Sequence, residues 1–178
     1  FGLLTHRQVK KPTFHLYAFM ARMGDAVLAR GEDHLVCRTA DGTVTVLAWA
    51  PVEVTGEPAP AGHRVRLSIP VGDVRTAFAL RSSVSEEAGN AWAAWGELGR
   101  PASPTERQLS VLREAAEPAR RHQALPVLGG RVDLDLALGR HEVTLVEVSG
   151  VVDETPPWWD EGRLLGLNGD GPDVEGPR

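Results

Sequence analysis

Arg131-Val132-Asp133-Leu134-Asp135-Leu136-Ala137-Leu138 alternates apolar and polar residues without a break. Val132, Leu134, Leu136 and Leu138 fall on one face and Asp133 and Asp135 on the other, the period of two of a half-buried strand. Gly129-Gly130 precedes this run and Gly139-Arg140 follows it, leading into a further strand over His141 to Ser149. Upstream, Val65, Leu67 and Ile69 alternate with Arg64, Arg66 and Ser68, and Thr76–Arg81 and Gln123–Val127 read as further strands. Ala40-Asp41-Gly42 separates His34–Thr39 from Thr43–Trp49, a hairpin signal because Gly accepts the positive φ of such turns. Ala26–Arg30 is a strand closed by Gly31-Glu32-Asp33, while Pro51 to Gly62, rich in Pro, Gly and Ala, reads as an exposed loop. Together these runs predict a mainly β chain, an antiparallel β-sandwich of about eight strands.

Helical signals interrupt the strands. Trp92, Trp95 and Leu98 lie at helical spacing within Gly89–Gly99. Ser103-Pro104-Thr105-Glu106 then reads as a helix start, with Ser103 as the cap, Pro104 at the first helical position and Glu106 completing a capping box. Leu109, Leu112 and Ala116 form that helix's apolar stripe, and Pro118 ends it. The expected division is a β-sandwich over 26–155 with a helical insertion at about 88–118. A C-terminal segment over 156–178 follows, with a disordered tail from Asn168. There is no internal repeat.

The first 25 residues differ. Phe1-Gly2-Leu3-Leu4-Thr5 is a short apolar run, His6 to Lys11 a basic turn, and Thr13 to Met23 an apolar helix opened by Pro12 and closed by Gly24-Asp25. Strand, loop and helix make one βα unit, and a parallel strand needs parallel neighbours that the rest of the chain does not offer. Residues 1–25 therefore read as part of a larger protein. The helix carries more apolar residues than one face buries, so self-association of the 13–23 helix with a second copy is expected.

Composition narrows the function. In 178 residues, a net charge of −5 and a pI near 5.7 argue against nucleic acid and anionic membranes as partners. No apolar run is long enough for a transmembrane helix. Cys37, the single cysteine, excludes an internal disulfide and sits in a strand-like run, as an inert buried thiol does. A soluble protein is expected, with the cytoplasm slightly favoured over secretion. His6, His15, His34, His63, His122 and His141 show no helical i, i+4 pair, so no metal site is expected. Neither a Gly-x-Ser-x-Gly elbow nor a phosphate-loop spacing is present, and no cofactor is expected.

Two segments carry a resemblance. The first is Phe1-Gly2-Leu3-Leu4-Thr5 with Lys11-Pro12 and the aromatic helix ending Met23-Gly24. The second is Val84, Asn90-Ala91-Trp92, Trp95, Leu98-Gly99, Pro101, Pro104-Thr105-Glu106, Gln108 and Leu109. In order and spacing they resemble the C-terminal region of glycoside hydrolase family 39, the β-xylosidases, with α-L-iduronidases as relatives. The first is similar to the last strand and helix of that family's (β/α)8 barrel, the second to its linker. Leu98 stands where Met is common, Arg100 where Ser is common, and Ser85 where Asp is common.

The resemblance implies a parent that releases xylose from the non-reducing end of xylo-oligosaccharides with retention, using two glutamates about 5–5.5 Å apart. One of these lies in an Asn-Glu-Pro motif, which this sequence lacks: Asn90 and Asn168 are followed by Ala and Gly. Adjacent Glu86-Glu87 would diverge on a helix, and Asp133 and Asp135 belong to a solvated face. The expected role is thus a non-catalytic accessory part, whose partner is the rest of the parent's barrel. Phe1 would lie near the parent's cleft, at the carboxyl end of a barrel strand. The alternative is a stand-alone sandwich that binds xylo-oligosaccharide through Trp92, Trp95, Trp158 and Trp159. Helical spacing beside Leu98 favours a packing role for the first two, and Pro156-Pro157-Trp158-Trp159 reads more simply as a pin for the C-terminal segment.

Overall fold

A computed structural model describes residues 2–50 and 62–152 and two isolated positions, Gly162 and Leu165. Phe1, most of the 51–62 loop, the tail from Asn168, and Trp158 and Trp159 lie outside the described residues. The architecture is mainly β and antiparallel. Strands β1 (Ala26–Arg30), β2 (His34–Arg38), β3 (Val44–Trp49), β5 (Thr76–Val84), β6 (Ala119–Pro126) and β8 (Val143–Gly150) form one sheet. Its order is β1-β2-β3-β8-β5-β6, and β4 (His63–Pro70) pairs with β7 (Arg131–Leu138) in a second sheet of two strands. Helix α1 (Pro12–Met20) precedes the strands, and α2 (Ala91–Glu97) and α3 (Glu106–Ala115) lie between β5 and β6.

The alternation in β7 does what its period requires. Val132, Leu134, Leu136 and Leu138 are buried with Val65 and Ile69 of β4 against Val36, Val44, Val46, Ala48, Val146 and Val148 of the large sheet. Asp133 and Asp135 stay outside, where Asp135 pairs with Arg64 at 2.7 Å and Arg66 at 3.5 Å. Central strands β3 and β8 are covered on both faces. Leu47 and Leu145 point away from the sandwich core and pack against Phe19 of α1, with Leu16, Met23, Trp49 and Val143 around them. Trp49, the last residue of β3, is half-buried in this outer layer. The molecule is therefore layered as helix, six-stranded sheet and two-stranded sheet.

Several sequence readings shift. The Phe1–Thr5 run was expected to be a strand; its described part makes one antiparallel bridge, Leu4 to Lys10, because no parallel neighbour exists among the described residues. Helix α1 stops at Met20, three residues short of the expected end. Phe19 and Leu16 are covered by the chain's own sheet, which leaves Tyr17 and Met20 exposed for any contact with a second copy. The cap of α3 is Thr105, not Ser103. Thr105 Oγ1 accepts from the Gln108 amide at 3.3 Å, and the Gln108 side chain accepts from the Thr105 amide at 2.8 Å. This register satisfies both orphan donors reciprocally and sets Glu106 in the first turn, where its charge suits the helix dipole. The β2–β3 hairpin follows its signal: Asp41 accepts from the Thr43 amide at 3.1 Å, and Gly42 has φ 90°.

Two contacts hold the layers in place. Asp33, in the β1–β2 turn, accepts from His34 Nδ1 and from His63 Nε2, each at 2.6 Å, which ties the large sheet to the start of β4. Gly24, between α1 and β1, touches the backbone of Arg38, so a Cβ there would overlap the Arg38 carbonyl. Its amide donates to Thr45 Oγ1 at 3.2 Å.

Gly24→Ala must push α1 off the sheet, so we expect a loss of about 2 kcal/mol or more in denaturant melts, as for overpacking of a tight site; an unchanged midpoint would refute the close approach. Burial raises the Asp33 pKa, but the bonds and charges of His34 and His63 outweigh it and hold the group below its usual 3.8. Its contribution is therefore present above about pH 4 and lost as pH falls through the folded pKa. Asp33→Asn should lower the melting temperature at neutral pH and flatten the acid limb; parallel curves for the two proteins would contradict the clasp.

Candidate functional site

The N-terminal loop and the helical insertion meet to form a groove. Residues 5–11 fold tightly: the Thr5 amide donates to the Val9 carbonyl at 2.9 Å, and the Val9 amide to Thr5 Oγ1 at 3.0 Å. Gln8, with φ 60°, turns the chain between them, and the Lys11 amide returns to the Leu3 carbonyl at 2.9 Å. This turn projects Val9 into the helical insertion. Val9 is buried with Leu109, Leu112 and Ala116, and Ala91, Ala94, Trp95 and Leu98 complete that small core.

Polar contacts fasten the same joint. Lys10 pairs with Glu117 at 2.5 Å, and its ammonium lies 5.4 Å from the Phe14 ring centroid. Arg113 donates to the Arg7 carbonyl at 3.4 Å. His15 is buried, and its Nε2–H donates to the Ala116 carbonyl at 2.6 Å, at the last turn of α3. The end of α3 is thus satisfied by a side chain more than a hundred residues away in sequence.

Above this joint the groove encloses about 880 Å³. Its lining comprises the loop with His6, Arg7, Lys10 and Lys11, α2 with Trp92 and Trp95, and the 101–104 link. Asn90 caps α2 by accepting from the Trp92 amide at 3.2 Å. Trp95 is fixed because its indole N–H donates to the Pro101 carbonyl at 3.2 Å, whereas Trp92, 5.0 Å away between ring centroids, is 65% exposed. Trp95 packs against the small core, and the exposed Trp92 lines the groove. Among the described residues no Asp or Glu lines the groove, and so no carboxylate pair of the kind retaining hydrolysis needs.

Of the sequence-named candidates, Trp92 and Trp95 are brought together, while Phe1, Trp158 and Trp159 lie outside the described residues. Val9, His15 and the cations of the basic turn were not singled out as site residues. Periodicity says nothing of a loop 80 residues from its partner helix. The remaining histidines are dispersed. His34 and His63 flank Asp33, and His141 approaches Glu86 at 3.5 Å. His122 lies beside Phe78. Among the described residues no group of three or more such side chains could hold a metal ion. Cys37 is buried, and burial pushes its thiol up. No described helix is long and apolar enough to cross a membrane.

Burial lowers the His15 pKa below its usual 6.5, and Lys10 adds to this against the opposing pull of the Ala116 carbonyl and Glu117. As pH falls, the unfolded chain takes up this proton first. The stabilising contribution is therefore complete above about pH 6.5, declines below it, and levels off once the folded imidazole protonates. His15→Gln keeps a donor for Ala116 without the titration. We expect it to flatten the melting temperature between about pH 7 and pH 5; equal slopes in both proteins would rule the joint out as the source.

Comparison with known proteins gives this geometry a family. The model of glycosyl hydrolases family 39 matches residues 1–132. A β-xylosidase from Geobacillus stearothermophilus is 34% identical over 166 residues, covering 92% of this chain but 32% of that protein. Among solved structures, a monomeric β-xylosidase from Caulobacter crescentus CB15 superimposes with a TM-score of 0.68 at 22% identity, covering 85% of this chain and 33% of that one. The family 39 enzyme from Xanthomonas axonopodis pv. citri gives 0.67 at 20% identity, with 84% and 32% covered. The chain spans about a third of the length of these relatives. It belongs to glycosyl hydrolases family 39, as a partial region of such an enzyme.

Proposed function

We propose that this chain is the non-catalytic, C-terminal accessory part of a retaining β-xylosidase-like glycoside hydrolase, whose parent releases xylose from the non-reducing end of xylo-oligosaccharides. One observation carries the accessory reading. Leu3, Leu4, Tyr17, Met20, Val27 and Leu28 all remain exposed within the first 28 residues, beside a sandwich whose own core is closed. So many exposed apolar side chains in so short a stretch support the reading that this stretch is covered in the parent. The rest of the parent's barrel is the partner this reading assigns to them; a second copy docking on Tyr17 and Met20 of α1 is the competing occupant.

The groove fits the same reading. In (β/α)8 enzymes the loops that follow the strands stand at the catalytic face. Loop 5–11 follows the segment similar to the last barrel strand, so the groove would stand at the rim of the parent's cleft. Two glutamates from the remaining barrel would supply the acid/base and the nucleophile. Exposed Trp92 favours a second reading, in which the sandwich by itself holds xylo-oligosaccharide on that ring.

The purified chain should leave a chromogenic β-xyloside uncleaved, and the coding sequence ahead of Phe1 should specify a barrel with an Asn-Glu-Pro motif. Turnover that co-purifies with the chain would overturn the accessory role. In size-exclusion chromatography, a dimer abolished by Tyr17→Ser and Met20→Ser would favour the second copy over the barrel. Retardation of the chain in xylan-containing gels, lost on Trp92→Ala, is the expected sign of the sugar-binding reading.

A further inference from the structure

We propose that the groove between loop 5–11 and α2 receives an acidic saccharide, a xylo-oligosaccharide bearing a uronate, with its sugar face on Trp92 and its carboxylate at Arg7 and Lys11. The proposal rests on the reading of the groove as a saccharide surface and adds its charge preference.

Charge is the first ground. The chain carries 24 acidic and 19 basic residues, yet among the described residues the groove is lined by Arg7, Lys10, Lys11 and His6 and by no acid. A positive concavity on a negative protein concentrates anions locally, and a bound anion relieves the mutual repulsion of its cations. The second ground is what each cation already does. Lys10 is engaged by Glu117, whereas among the described residues neither Arg7 nor Lys11 has a carboxylate within ion-pair distance. Their charges are open to a ligand.

Geometry is the third ground. Trp92 offers an exposed ring held beside the fixed Trp95, and apolar C–H faces of a pyranose suit such a surface. Arg7 is presented from a loop locked by the Thr5–Val9 hydrogen bonds and by the donation of Arg113 to its carbonyl, so little ordering is needed on binding. A guanidinium fork matches a planar carboxylate in two parallel hydrogen bonds. A neutral saccharide would use the ring and leave both cations without a role. A nucleic acid would need a longer track of cations than this groove provides.

Calorimetric titration of the chain with xylotetraose and with its glucuronic-acid-substituted counterpart tests the proposal. The acidic sugar should bind roughly tenfold tighter at low salt, and the advantage should shrink by about 0.5 M NaCl as screening shortens. The double variant Arg7→Ala/Lys11→Ala should bind both sugars as the parent chain binds the neutral one. Trp92→Ala should weaken both, with melting curves confirming that the variants are folded. Equal affinity of the unmodified chain for the two sugars would overturn the charge preference and leave the saccharide reading standing. Failure to bind either would overturn both. A preference that survives the double variant, or that inorganic sulfate competes away as well as the acidic sugar does, would also overturn the assignment.

Discussion

A sheet of two strands cannot stand in water, and the arrangement of this chain follows from covering one. Among the described residues strands β4 and β7 have no other hydrogen-bonded neighbours, and an isolated pair is marginal unless its apolar face is buried. That face, built from Val65, Ile69 and the four alternating residues of β7, can be buried only against a larger apolar surface. The six-stranded sheet supplies it through Val36, Val46, Val146 and Val148. The requirement propagates outward. Strands β3 and β8, central to that sheet, are apolar on their other face as well, and Leu47 and Leu145 need a second cover. Phe19 provides it, which brings α1 and the N-terminal loop onto the sandwich.

Once α1 is seated, the groove follows from a second, smaller core. Loop 5–11 leads into α1, and its Val9 enters the space between α2 and α3. His15, one turn into α1, satisfies the carbonyl of Ala116 at the end of α3. Lys10 and Glu117 close the outer edge. A helical excursion between β5 and β6 is thereby held against the start of the chain, and Trp92, Arg7 and Lys11 line the same groove. The site's polarity is a consequence of this meeting, since the cations come from one segment and the aromatic rings from another.

Much of the fold was legible locally. The alternation of β7, the Asp41-Gly42 turn and the apolar runs of β3 and β8 each act through neighbours a few residues away, so a linear reading finds them. The cap of α3 was legible only in kind. Ser103–Glu106 and Thr105–Gln108 both have capping spacing, and the reciprocal hydrogen bonds with Gln108 select the second. The unequal split into six strands and two was not legible, because pairing of β5 with both β6 and β8 joins segments tens of residues apart.

The amino-acid order by itself established the strands, the hairpin, the helical interruption and, through the first segment and the linker from Asn90 to Gln108 together, a resemblance to the family. These are properties of short segments, encoded in period, turn chemistry and motif. Folding in three dimensions settled which face of each central strand meets α1, and that Trp95 is pinned while Trp92 is open. It also brought the basic turn at His6–Lys11 into the same groove as those rings. Burial and juxtaposition depend on which distant surfaces are left uncovered, and no local pattern carries that information.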